Sequence, residues 1–402
     1  MKVLIADKFE TVGVEKLRAI PTEVYPEAGL KGEALAARLR ELDPDVLIVR
    51  SCKVPRDVLA AGSRLKLIVR AGSGYDNIDV AAASQRGVMV TNCPGQNAVA
   101  VAELAWGLII ALDRRIPENV IDLNAGRWNK SAFARTARGL KGRTIGIVGS
   151  GQIGSEVARR AVAFDMSVLY FNLGRTRRLV DIPTARRVEL DDLLRAADVV
   201  SIHVPGGPST NNLIDERRLG LMKREALLIN TARANVLDEA ALLLALKEGR
   251  LRGAAIDVFN DEPAADAKEY RGPVANMPNL YVTHHIGAST EQAQLAVADE
   301  TVRIVETFRH TGKAPNCVNM REPLSMPMLV VRLHNKPGGL ARVFSAIAEE
   351  QINVEEMDHV IYDGGKAACA HIRVNKAPSA DLLGRLCSAQ ENILAVEVIQ
   401  AE

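Results

Sequence analysis

The run Thr144-Ile-Gly-Ile-Val-Gly-Ser-Gly-Gln-Ile-Gly154 constrains this chain more than any other. A strand-like apolar stretch leads into Gly149, Gly151 and Gly154, and a helical pattern follows to about Phe164. Glycines at this spacing permit a tight strand-to-helix turn and let backbone approach a pyrophosphate closely. The helix N-terminus then offers N–H donors and a positive dipole end. In this context the motif predicts a doubly wound α/β domain that holds a dinucleotide; the plainer alternative is a glycine-rich turn with no ligand.

The surroundings carry the same pattern. Ser167–Phe171, Val199–Val204, Ala226–Asn230, Gly253–Val258 and Leu280–Thr283 read as further strands, with helical patterns between most of them. Upstream, the apolar runs at 3–6, 46–49 and 67–69 read as buried strands of another parallel α/β sheet. The apolar stretch from Ala98 joins the two blocks, and a helix from Thr290 to about His310 leads back toward the first. Gly312, Pro315, Pro323 and Pro327 then mark a linker.

Beyond the linker the order changes to βαββαβ. Strands are expected at Leu329–His334, Val354–Ile361, Ala367–Val374 and Ile393–Ile399, with helices at Leu340–Glu350 and about Ala380–Gln390. Asp363-Gly-Gly365 marks a hairpin. The expected architecture is therefore α/β, with two doubly wound Rossmann-like domains and a ferredoxin-like C-terminal domain. The boundaries read as 1–97 with 284–318, 98–283, and 328–402.

Composition removes several function classes. The formal net charge of the 402 residues is only +2, with dispersed cations, so no nucleic acid or anionic membrane surface is expected as partner. The cysteines at 52, 93, 317, 369 and 387 show no C-x-x-C spacing, so neither a disulfide framework nor a metal site is expected. A reducing, cytoplasmic setting follows as an expectation. The apolar stretch Ala98–Leu112 is interrupted by Glu103 and falls short of the ~20 residues of a membrane span. The N-terminal run before Asp7 is too short for a signal-peptide core.

A carboxylate normally follows the second strand of an NAD site and binds the ribose hydroxyls. Here that position is Asn172, with Arg175, Arg177 and Arg178 close behind. An amide does not repel a 2′-phosphate, and arginines can pair with one, so NAD and NADP both stay open.

Three polar residues follow strands of the second block: Arg233, Glu262 and His285. Ligands in open α/β sheets bind beyond the carboxyl ends of the strands, so the three can converge. Their chemistry is complementary. Arginine grips a carboxylate with a planar fork, histidine exchanges a proton near neutral pH, and glutamate orients the histidine and favours its protonated form. Taken singly, each would be an ordinary cap or surface ion pair.

The runs Asn230-Thr-Ala-Arg-Ala-Asn-Val236, Asp257-Val-Phe-Asn-Asp-Glu-Pro263 and Thr283-His-His-Ile-Gly-Ala-Ser-Thr290 resemble the catalytic signatures of the D-isomer-specific 2-hydroxyacid dehydrogenases. Arg70-Ala-Gly-Ser-Gly-Tyr-Asp-Asn-Ile-Asp79 resembles that family's substrate loop, and the C-terminal block with Asn335-Lys-Pro-Gly-Gly-Leu340 resembles an ACT domain. The resemblance spans about residues 1 to 320 plus the ACT block. The combination is the layout of many phosphoglycerate dehydrogenases, which implies oxidation of D-3-phosphoglycerate or its reversal. Reduction of hydroxypyruvate, glyoxylate or 2-oxoglutarate is the alternative within the family, and an NAD(H)-sensing binding protein the alternative outside it.

By the same resemblance, Arg233, Glu262 and His285 form the catalytic triad. Gln152 and Ile153 cover the pyrophosphate, and Asp257 holds the nicotinamide amide. Val204, Thr231, Ala232 and Ala288 belong to the cofactor-binding set, with Asn172 and Arg175. Backbone groups of Ser73 and Gly74 meet the substrate carboxylate, with Asn97 nearby. Arg50 and Arg70 face the phosphate end, and Lys130 reaches in from a partner subunit. The chain departs from the family pattern at Ala234, Asn235 and His284, the last being usually proline. His285 is expected to be the reacting histidine because neighbouring strand residues point to opposite faces, so only one should reach the substrate. In the ACT block, Asn335 and Asn353 match effector positions of serine-sensitive relatives. The histidine often found two residues before the first asparagine is Leu333 here, with His334 shifted by one. Serine inhibition and a purely structural role both stay open. A homodimer or homotetramer is implied.

Overall fold

The computed structural model describes residues 1–174, 179, 182–263, 267–320, 326–388 and 392–400. Arg175, Arg177, Arg178, Pro323 and Gln390 lie outside the described residues. The chain forms two compact units, Met1–Asn319 and Met320–Glu402.

The first unit holds two parallel sheets. One contains β1 (Lys2–Ile5), β2 (Glu23–Pro26), β3 (Val46–Val49), β4 (Leu67–Arg70) and β5 (Met89–Asn92), in the order β2-β1-β3-β4-β5. Short runs of Val, Leu and Ile buried on both faces are what a parallel sheet requires, because helices cover both sides. Leu4 and Leu47 pack with Leu35, Leu39 and Leu59 on one face. Val3, Ile5 and Ile48 pack with Leu17 and Val305 on the other. Each such side chain contributes roughly 1.5–3 kcal/mol on burial. β2 and β5 go beyond the strands expected from sequence: β2 is partly exposed and polar at its first residue, and β5 is only four residues long.

The second sheet contains β6 (Thr144–Val148), β7 (Ser167–Phe171), β8 (Arg186–Arg187), β9 (Val199–Ile202), β10 (Leu227–Asn230), β11 (Gly253–Ile256) and β12 (Leu280–Val282). Its order is β12-β11-β10-β9-β6-β7-β8, and all its pairings are parallel. The order reverses between β6 and β9, which opens a crevice at their carboxyl ends. The helix Ala98–Arg114 buries Trp106 and Ile109 with Ile145, Ile147 and Val157 in this sheet's core. The helix Glu291–Thr311 returns to the first sheet, burying Val302, Val305 and Phe308. Thr290 caps it, its hydroxyl accepting from Ala293 N at 3.2 Å.

The second unit is an antiparallel sheet of β13 (Met328–His334), β14 (Val354–Ile361), β15 (Ala367–Val374) and β16 (Ile393–Ile399), ordered β14-β15-β13-β16. Along β13 burial alternates: Leu329, Val331 and Leu333 are buried with Val343, Ile347 and Leu382 of the helices Gly339–Glu349 and Ala380–Ser388. This is the ferredoxin-like arrangement. Among the described residues no helix is long and apolar enough to cross a membrane, and no cluster suits a metal ion.

Candidate active site

The glycine turn is built for close approach. Gly149 has φ +98°, and a Cβ there would lie 2.8 Å from the carbonyl oxygen of His203. A Cβ on Gly154 would collide with the Gly149 carbonyl oxygen, so the helix Gln152–Ala163 starts hard against β6. A Cβ on Gly151 would meet no atom within 4 Å among the described residues. Asn172, only 5% exposed at the end of β7, folds into this turn. Its Oδ1 accepts from Ser150 N and its Nδ2 donates to Ser150 Oγ, both at 2.6 Å. The end of β7 therefore carries a neutral amide that shapes the glycine loop. Gln152 reaches across to the first sheet's loops, its amide lying over the backbone of Gly95.

Val204 and Ala232 are buried, and the Thr231 hydroxyl is buried without a hydrogen-bond partner among the described residues. His203 has one ring nitrogen 2.8 Å from Ser201 Oγ and the other buried and, among the described residues, unpartnered. Burial pushes its pKa down to about 3, so the ring is neutral. A tight strand-to-helix turn that only glycine fits at 149 and 154, a helix N-terminus behind it and a buried orphaned hydroxyl fit a dinucleotide.

The His285–Glu262 pair is equally defined. His285 Nδ1 lies 2.8 Å from Glu262 Oε2, and Glu262 Oε1 accepts from Phe259 N at 3.2 Å. The Glu262 bond raises the His285 pKa above its ordinary value; burial and Arg233 oppose this, and the charges of Glu262 and Asp257 add to it. Burial pushes Glu262 up, but His285, the Phe259 N–H and Arg233 together hold it below the usual carboxylate range.

His285 itself has φ +53°, a left-handed conformation that costs roughly 1–2 kcal/mol for a residue with a Cβ. Asp257, 1% exposed, offsets that cost. One of its oxygens accepts from Thr283 Oγ1 at 2.6 Å and Ile286 N at 2.9 Å, and the other from Gly287 N at 2.8 Å. Asp257 thus organises the histidine loop. Buried Glu239 does the same for the Glu262 loop, accepting from Asn260 N at 2.7 Å.

Arg233 follows a turn pinned by Asn230, whose side chain donates to Arg233 O and accepts from Ala232 N, both at 3.0 Å. The guanidinium lies over the backbone of Gly74, and its Nε donates to Asp76 Oδ2 at 2.8 Å. Ser73 Oγ donates to Asn97 Oδ1 at 2.6 Å, and Asn92 Nδ2 donates to Ser73 O at 2.5 Å, so the loop 73–76 is held from the first sheet. Asp76 escaped the sequence reading; its one signal was membership of the run 70–79.

A cleft of about 500 Å³ gathers Arg50, Arg70, Asn97, Glu262, His285 and Ala288. Arg70 is pulled down to a pKa of about 10 by burial and by the neighbouring charges of Arg233 and Arg50. Asp7, not foreseen, anchors the Arg50 loop by accepting from the backbone N–H groups of Arg50, Ser51 and Cys52 at 2.7 to 3.0 Å. Lys8, also not foreseen, lines the cleft. Lys130 does not; it lines a separate hollow with Trp128 and Phe133. One expectation is corrected: both His284 and His285 line the cleft. β12 ends at Val282, so strand alternation no longer governs these residues.

In the second unit, Asn335 Nδ2 donates to Gly365 O at 2.8 Å and Asn353 Nδ2 to Glu355 Oε1 at 3.0 Å. Both are exposed.

Residues 106–287 match the D-isomer specific 2-hydroxyacid dehydrogenase NAD binding domain, and residues 328–360 match the ACT domain. A hydroxypyruvate reductase of Thermotoga maritima is 42% identical over 269 residues, covering 67% of this chain and 85% of the relative. The chain therefore belongs to the D-isomer-specific 2-hydroxyacid dehydrogenase family, with an NAD-binding domain and an appended ACT domain. Within that family it is also similar to a D-3-phosphoglycerate dehydrogenase of Methanocaldococcus jannaschii, 37% identical over 80% of this chain; the match spans 60% of that enzyme's length. A solved D-lactate dehydrogenase of Aquifex aeolicus, complexed with NAD and lactic acid, superposes with a TM-score of 0.66 at 28% identity, covering 80% of this chain and all of the other.

Proposed function

We propose that the chain interconverts D-3-phosphoglycerate and 3-phosphohydroxypyruvate with NAD, the entry step of L-serine synthesis. The observation that supports this reading is a set of neighbouring cations, Arg50 and Arg70 in the lining of the cleft and Arg233 next to Arg70. Arg50, Arg70 and Arg233 lie close enough that the first and last depress the pKa of the second. Of these only Arg233 is paired with a carboxylate among the described residues. A substrate with a carboxylate at one end and a phosphate at the other matches that distribution of charge.

NAD, held by the glycine turn, Gln152, Ile153 and the buried residues after β9 and β10, supplies the hydride acceptor. Arg233 grips the substrate carboxylate, aided by backbone N–H groups of Ser73 and Gly74. His285, through the ring nitrogen not bonded to Glu262, takes the hydroxyl proton in oxidation and returns it in reduction. Glu262 fixes the ring and stabilises its charged form.

A second reading, reduction of an unphosphorylated 2-oxo acid, has its own support. Asn172 leaves the ribose position without a carboxylate, which suits NADPH, and one relative is named a hydroxypyruvate reductase. Initial rates separate the two readings. The substrates are 3-phosphohydroxypyruvate, hydroxypyruvate, glyoxylate and 2-oxoglutarate, each with NADH and NADPH. A kcat/KM at least about tenfold higher for the phosphorylated acid supports the first reading; preference for an unphosphorylated acid with NADPH supports the second.

We also infer self-association through the segment Ile116–Trp128. Its helix Ile116–Asn124 has no buried residue, and Ile121, Leu123 and Trp128 are at least 60% exposed. In such an assembly Lys130 reaches the partner's cleft. A monomeric mass for the wild-type chain overturns this. For the ACT domain we infer an amino-acid effector, with Asn335 and Asn353 as polar contacts. No response of the initial rate to millimolar serine would leave the domain a structural role.

A further inference from the structure

His284 stands where the family resemblance implies proline, and two observations give it work. The first is placement. Because β12 has ended and His285 turns left-handed, His284 lines the same cleft as the reacting histidine instead of pointing away from it. Asp257 holds this arrangement through Ile286 N and Gly287 N. The side chain of His284 makes no hydrogen bond among the described residues, whereas that of His285 is committed to Glu262.

The second is the company it keeps. The cleft also presents Lys8, Arg50 and Arg70, none of which is in an ion pair among the described residues. Among the described residues, Arg50 Nη1 is bonded only to the neutral amide of Gln294, at 3.0 Å, and Arg70 Nε is buried without a partner. The acids nearby are largely occupied: Asp7 by three backbone N–H groups and Glu262 by His285. Glu10 is the remaining acid of the described lining. A neutral imidazole still has one N–H to donate, so His284 can bond a phosphate oxygen in either charge state.

We propose that His284 is a specificity-determining residue that engages the end of the substrate remote from the reacting carbonyl, together with Arg50, and favours a phosphorylated over an unphosphorylated acid. This rests on the phosphate reading given above. Arg233 and His285 serve the carboxylate and the C2 oxygen, and His284 and Arg50 take the third substituent.

The test is steady-state kinetics of His284→Ala and His284→Gln in the full chain, with 3-phosphohydroxypyruvate and with hydroxypyruvate. In His284→Ala the ratio of the two kcat/KM values falls about tenfold, mainly through KM for the phosphorylated acid. His284→Gln keeps an N–H donor and recovers part of the ratio. Equal losses on both substrates, or an unchanged ratio, overturn the proposal; equal losses with a lowered Tm identify a structural role. The wild-type ratio judges the phosphate reading separately. If the wild type prefers hydroxypyruvate, that reading falls, and inorganic phosphate as a competitive inhibitor of hydroxypyruvate reduction decides about His284. A Ki raised about tenfold in His284→Ala supports it. An unchanged Ki, or no inhibition of the wild type, overturns it.

Discussion

The imidazole Nδ1 of His285 and the carboxylate Oε2 of Glu262 stand 2.8 Å apart, and with His285 in its proposed proton-transfer role this contact sets the pH range of the reaction. Glu262 raises the His285 pKa, so reduction, which needs the protonated ring, is full below that raised value and is lost as pH climbs through it. Oxidation needs the neutral ring and has the opposite slope. Glu262→Gln moves the descending limb of the reductive kcat/KM profile down toward the ordinary imidazole value of about 6.5 and lowers kcat by roughly 10- to 100-fold. A limb that stays in place would show that Glu262 does not tune the histidine.

Removing His285 separates an enzyme from a nucleotide sensor. His285→Ala lowers kcat by about 10²- to 10⁴-fold while leaving the Kd for NADH within about threefold, measured by quenching of protein fluorescence. Wild-type turnover no faster than that of the variant would favour the sensor.

Gly154→Ala drives a methyl group into the Gly149 carbonyl oxygen. The turn must open, at a cost of roughly 1–3 kcal/mol, and the Kd for NADH rises at least about tenfold. Gly151→Ala, where the added atom meets no described residue, has a much smaller effect on Tm. Comparing the two variants by calorimetry and NADH titration isolates the packing contribution.

Asn172→Asp keeps the acceptor for Ser150 N. The turn survives and the ribose position gains a negative charge. The NADPH-to-NADH ratio of kcat/KM falls about tenfold. An unchanged ratio would mean that the 2′ position is not near residue 172.

Asp113 is 1% exposed and accepts from Gly139 N, Arg143 and Arg252 at 2.8, 3.1 and 3.2 Å. It ties the end of the helix Ala98–Arg114 to the NAD-binding sheet. Asp113→Ala leaves two largely buried guanidinium groups without their shared anion and lowers stability by about 3–5 kcal/mol, read as a fall in Tm. A Tm shift below about 2 °C would show that the network relaxes around the loss.

Much of this protein was determined by the sequence alone. The buried runs 46–49 and 67–69, the glycine turn and the βαββαβ order are short-range signals, because a strand, a tight turn or a helix is decided by residues a few positions apart. That Arg233, Glu262 and His285 come near one another was legible for the same reason: each follows its own strand, and an open α/β sheet delivers strand ends to one crevice. Tertiary structure decided what depends on side chains far apart in sequence. The Arg233–Asp76 pair joins residues 157 positions apart, and nothing near either names the other. Asn172 read as a ribose contact, and the folded structure adds a role nothing nearby in sequence announces, two hydrogen bonds to Ser150 that shape the glycine turn. His284 read as pointing away, by strand alternation. Asp257 stabilises a left-handed residue just past the strand end, and that backbone reversal brings both histidines into the cleft. Local propensity places elements, but the partner of a charged side chain follows from which loops packing brings within hydrogen-bond reach.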